Sequence, residues 1–155
     1  MISITQLLQL TPSDVRERAR TQCTVEIKSA RLVKEDEDQV KHVISKVHAT
    51  DGTRICQIKF YDPSHPRKGR VWVHCSCPYF LYYLEVALTK RGASSVINSN
   101  GKFPRVTNPQ TVPYLCKHLF AAAVPAIKVQ AKKSNKKISA EALAHVLSRI
   151  SPLVR

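Results

Sequence analysis

Two short stretches constrain this chain more than any others: His-Cys-Ser-Cys-Pro at 74–78 and Leu-Cys-Lys-His-Leu at 115–119. Of five cysteines, two stand one residue apart, and a third stands two residues before a histidine. On a strand, successive side chains point to opposite faces, so Cys75 and Cys77 share a face and Ser76 points away. Two residues of a regular helix turn about 200°. Cys116 and His118 therefore converge only if Cys116 precedes a helix whose first turn holds His118. Cys75, Cys77, Cys116 and His118 then form three sulfurs and one imidazole, a set suited to tetrahedral Zn²⁺ and unsuited to Mg²⁺ or Ca²⁺. Four protein donors leave no position for a reactive water, so one structural ion is expected.

The other cysteines and histidines lack such spacing. Cys23 and Cys56 read as ordinary buried thiols. His74 adjoins Cys75 but faces the other way on a strand. His42, His48, His65 and His145 have no partner at metal-ligand spacing. A redox motif is not indicated, because the spacing is C-x-C and not C-x-x-C.

Around the cysteines the pattern is α+β. Ser3 and Gln6 predict a capping box ahead of Leu7, Leu8 and Leu10. Thr11 as N-cap and Pro12 in the first turn predict a second, charged helix. From residue 22 the period changes to two, with three strands at 24–34, 40–50 and 54–62 and a fourth at 70–77. Val25, Ile27 and Ser29 are expected on one face, and Cys56, Ile58 and Phe60 opposite Ile55, Gln57 and Lys59. Asp51-Gly52 is a hairpin signal. Pro78 opens an apolar helix that Gly92 stops. A segment rich in Gly, Ser, Asn and Pro fills 92–115. A helix begins at Cys116 and is expected to break near Pro125. After a Lys-rich connector, Ser139 caps a last helix with Leu143, Val146, Leu147 and Ile150 on one face. The expected architecture is an antiparallel sheet of about four strands packed on the buried helix, with zinc joining a strand end to a second helix and helical arms at both ends. The corresponding divisions are a helical arm at 1–21, a zinc-binding α+β domain at 22–127, and a basic connector with the C-terminal helix at 128–155.

Cys75-Ser76-Cys77 on a strand, followed by Cys116-Lys117-His118 opening a helix, resembles the SWIM zinc finger, whose pattern is C-x-C…C-x-H. The resemblance spans roughly residues 54–123. It implies zinc at the four matched positions and a module that contacts DNA or other proteins. Between Cys77 and Cys116 stand 38 residues, longer than the usual spacer. This long-spacer form, with CSCPYF, SNG, NP and LCKHL in order, is similar to uncharacterised proteins of tailed bacteriophages.

Charge bears on partners. The net charge is +14. Residues 1–63 carry ten Lys/Arg and nine Asp/Glu, whereas 64–155 carry fifteen Lys/Arg and only Glu85 and Glu141. Such asymmetry implies an anionic partner, nucleic acid or an acidic protein surface. Candidate contacts are Arg67, Lys68, Arg70, Lys102 and Arg105, with Lys128, Lys132, Lys133, Lys136 and Lys137 in the connector; a solvated surface is the plainer alternative. Tyr79, Tyr82 and Tyr83 are expected to pack more than to stack on bases. No catalytic motif or phosphate-cradling glycine loop is present, and no stretch approaches a membrane span. The expectation is a non-catalytic structural or interaction protein, intracellular or part of a virion, with other protein subunits as partners. The alternative is a nucleic-acid-binding module.

Overall fold

The computed structural model describes residues 1–97, 101–102, 104 and 107–133. The helix expected from Ser139, with His145, and the candidate contacts Arg105, Lys136 and Lys137 lie outside the described residues. The architecture is α+β. Helices α1 (Ile4–Leu10) and α2 (Ser13–Gln22) lead into strands β1 (Cys23–Glu35), β2 (Asp38–Ala49), β3 (Gly52–Phe60) and β4 (Val71–Cys75). A π-turn (Phe80–Leu84) runs into α3 (Glu85–Lys90), followed by α4 (Lys117–Lys128) and a two-residue β5 (Lys132–Lys133). The sheet order is β4-β3-β2-β1-β5, with β1 to β4 an antiparallel meander and β5 parallel to β1. Among the described residues no helix is long and apolar enough to cross a membrane.

The inner face of the sheet is the alternating set Val43, Ser45 and Val47, then Cys56, Ile58 and Phe60, then Val71, Val73 and Cys75, all buried. Helix α4 touches β1, β2, β3 and β4 across that face. Phe80, Leu84 and Leu88 of the segment after Pro78 join the same core. The N-terminal arm is folded against this body, with Ile4, Leu7 and Val15 buried in the core. Its capping box is formed, Gln6 N–H donating to Ser3 Oγ and Ser3 N–H to Gln6 Oε1.

Several local expectations need correction. Thr11 is not the N-cap of α2; Pro12 holds that place. The Thr11 hydroxyl instead donates to Leu7 O at 2.8 Å and accepts from Leu115 N at 3.1 Å, tying the α1–α2 corner to the strap before α4. Ser29 does not share a face with Val25 and Ile27. A bulge lies between Ile27 and Ser29, so Ser29 stands opposite Ile44, and Ala30 opposite the core residue Val43. One extra residue in a strand reverses the facing of everything after it. Helix α4 passes through Pro125 without breaking. Proline deprives the helix of one hydrogen bond there, and packing on four strands outweighs it. The hairpin between β2 and β3 turns at Thr50 and Asp51, and Gly52 opens β3 with φ +124°.

The end of α3 is a Schellman motif. Gly92 has φ +73°, Gly92 N–H donates to Thr89 O, and Ala93 N–H donates to Leu88 O. The motif turns the chain back along β4: Val73 N–H donates to Ala93 O, and the Ser94 hydroxyl donates to Val73 O. Val71 N–H donates to Ile2 O on the same edge. The outer edge of β4 is thus covered at Val71 and Val73.

Candidate metal centre

The metal-ion candidates gather where the sheet meets the start of α4. Cys75 is the last residue of β4. Cys77 is not on the strand, as the sequence pattern implied. The strand ends at Cys75, and Cys77 lies in the turn that enters the helical segment. Ser76 holds this departure, its N–H donating to Ile55 O and its hydroxyl accepting from Ile55 N. Cys116 is the N-cap of α4 and His118 lies in its first turn, the arrangement their two-residue spacing requires. One donor atom from each of Cys75, Cys77, Cys116 and His118 lies within 4.8 Å of the others, and all four residues are buried.

The donors are pre-oriented by the backbone. Phe80 N–H donates to Cys77 Sγ at 3.3 Å, and Leu119 N–H donates to Cys116 Sγ at 3.5 Å. Both are first-turn N–H groups without a helical partner. His118 Nε2 lies 3.4 Å from Asp51 Oδ1, while His118 Nδ1 is buried and has no hydrogen-bond partner among the described residues. A carboxylate on one ring nitrogen and a bare, buried second nitrogen is the arrangement of a metal-ligating imidazole. The thiols say the same. Hydrogen bonds from Cys116 and Cys75 hold the Cys77 thiol far below its ordinary range, helped by His118 and Phe80 N. Burial pushes Cys75 and Cys116 well up. Three crowded, buried sulfurs become thiolates together only around a cation, so the donor set fits a metal ion.

No family model, curated protein or solved structure matches this chain. By its own geometry the site is a Cys3His cluster able to hold one metal ion and compatible with a zinc finger. A cavity of about 190 Å³ adjoins it, bounded by Cys77, Cys116 and His118 and by charged Arg18, Asp51, Arg54 and Lys117. Lys117 Nζ donates to Gln22 Oε1 at 2.7 Å and lies 3.4 Å from Asp51 Oδ1.

Several neighbours were invisible in the sequence. Asp51 announces itself only as a turn residue. Cys56, expected as plain core, is buried, but its thiol donates to Cys75 Sγ at 3.7 Å. Cys23, expected as a buried thiol, is only half-buried, and its Sγ approaches Lys117 O at 3.9 Å. His74 does face away from Cys75; its Nε2 meets Glu85 Oε2 at 3.0 Å in a buried pair, stacked against Trp72. Only fold geometry, which sets the helical segment beside β4, brings that pair together.

The basic candidates occupy several elements. Arg67 and Lys68 are exposed in the loop before β4, and Arg70 lies 3.7 Å over the Tyr61 ring. Lys102 is exposed in the 92–115 segment, Lys128 is exposed at the end of α4, and Lys132 is exposed on β5, followed there by Lys133. Tyr79 and Tyr83 pack against the core, Tyr79 Oη meeting Tyr114 Oη at 2.6 Å, while Tyr82 is exposed.

Proposed function

We propose that this chain is a non-catalytic, zinc-stabilised structural or interaction protein of the SWIM type, a subunit of a large assembly such as a tailed-phage virion. The observation that carries the reading is the buried Cys3His set joining the end of β4 to the start of α4. Three sulfurs and one imidazole suit Zn²⁺, and four protein donors close its tetrahedron. Support for a phage particle comes from the long-spacer resemblance alone. The other protein subunits of that particle are the preferred partners, with no membrane involved.

The charge asymmetry favours a second reading, a nucleic-acid-binding module in which exposed Arg67, Lys68, Lys128 and Lys132 neutralise phosphates. One measurement tests the zinc that both readings share, and a second separates them. Metal analysis of purified protein is expected to give one zinc per chain; less than half an equivalent, with Cys75→Ser as stable as wild type, overturns the zinc assignment. Fractionation from the native source is expected to place the chain in particles. Recovery with nucleic acid instead, at an affinity falling steeply with salt, overturns the assembly reading in favour of the second.

A further inference from the structure

Cys56 lies outside the four-donor set yet is packed directly behind it. Cys56 and Cys75 are registered opposite each other on β3 and β4. Ser76 N–H donates to Ile55 O, and Tyr61 N–H donates to Arg70 O. Those bonds mark alternate rungs of the ladder, so the Cys56–Cys75 rung is of the non-hydrogen-bonded kind, with Cα atoms about 4.5 Å apart. That spacing falls inside the range a disulfide spans. The sulfurs already touch at 3.7 Å, and both side chains are buried, so neither has room to turn away.

We infer that Cys56 and Cys75 form a reversible disulfide under peroxide, making the centre a thiol-oxidation site as well as a metal site. The cavity beside the cluster is bounded by Cys77 and Cys116, so peroxide meets one of these sulfurs first. Its thiolate attacks the O–O bond, giving a sulfenic acid and, after protonation, one water. Cys75, whose sulfur lies within 4.8 Å of both, displaces the sulfenic hydroxyl as a second water and forms a disulfide. Cys56 gives up its thiol proton, replacing the one taken up in the first step, attacks the Cys75 sulfur and returns the first cysteine as a thiolate. In sum, two thiols and one hydrogen peroxide give one disulfide and two waters, with two electrons passing from sulfur to oxygen. The exchange favours Cys56 because it is the cysteine in contact that metal binding does not use. Oxidation removes Cys75 from the donor set and leaves Cys77, Cys116 and His118.

The test treats full-length, metal-loaded protein with hydrogen peroxide, blocks remaining thiols and maps disulfides by mass spectrometry. Trypsin separates Cys56 (55–59) from Cys75, but Cys75 and Cys77 share one peptide (71–90), so fragmentation must locate the bond. The expected result is a Cys56–Cys75 cross-link, with metal released to a chromogenic chelator and taken up again after thiol reductant. The Cys56→Ala variant is expected to bind metal as wild type but to recover several-fold less of it after oxidation and reduction. Cross-links confined to the four donors, with Cys56 still alkylated, overturn the inference, as does full recovery by Cys56→Ala. The same mapping on metal-free protein keeps the outcomes distinct: a cross-link in a chain that never binds zinc defeats the zinc assignment and leaves this inference standing.

Discussion

Asp51 fixes the His118 ring from outside the donor set, at 3.4 Å. Replacing it by Asn keeps the size and removes the charge, and is expected to weaken metal binding roughly 10- to 100-fold, as read by competition with a chromogenic chelator. A second carboxylate tests pH dependence away from the centre. Glu35 accepts from Lys59 Nζ at 2.7 Å and from Tyr61 Oη at 3.3 Å. The Lys59 hydrogen bond leads in holding its carboxyl below the ordinary 4.5. A folded-state value below the unfolded one means stability that is present above pH 4.5 and lost as pH falls through the lowered value. The gap in urea midpoint between wild type and Glu35→Gln is therefore expected at pH 7 and to close on acidification; a gap that widens in acid contradicts this. At this scale the four donors were legible because their spacing states a chemical requirement. Asp51, Cys56 and the His74–Glu85 pair were not, since each meets its partner only after strands register or a helical segment docks.

Helix α4 depends on residues far away in sequence at both ends. Lys41, buried on the inner face of β2, donates through Nζ to Ile127 O and Val129 O, at 3.2 Å each. A cation on the last carbonyls of a helix is favourably placed. Lys41→Met is expected to fray the final turn, seen as faster hydrogen exchange at Lys128–Gln130 with little change in β3. Near the other end, Thr11→Val keeps the shape but leaves the buried Leu115 N–H without its acceptor, at a cost of about 1–3 kcal/mol in chemical denaturation. Alternation and turn residues made all four long strands legible. The bulge beside Ser29 was not, because one inserted residue leaves composition unchanged. Passage of α4 through Pro125 was not either, because local propensity yields to packing on four strands. The Lys-Lys strand β5 carries no strand-forming residue type and exists only by pairing with β1.

For the whole molecule, the zinc proposed at the Cys3His cluster can be set against the fold's margin. Structural zinc sites bind with about 10–16 kcal/mol, and domains of this size are stable by about 5–15 kcal/mol. Stripping the metal is thus expected to unfold at least the end of the sheet where β4, α2 and α4 meet. Near-ultraviolet circular dichroism with chelator, then with zinc restored, reads this; a metal-free protein with unchanged melting contradicts it. The α+β class was legible as a whole, since a period-two region bracketed by helical segments admits few arrangements. The covering of β4 by Ile2 on one stretch and Ala93 and Ser94 on another leaves, among the described residues, β1 as the flank with backbone groups to spare, since β5 pairs only with Arg31 and Leu32. An incoming strand would therefore find occupied backbone at Val71 and Val73 on one side of the sheet and open backbone on the other, so among the described residues strand addition is steered to the β1 flank.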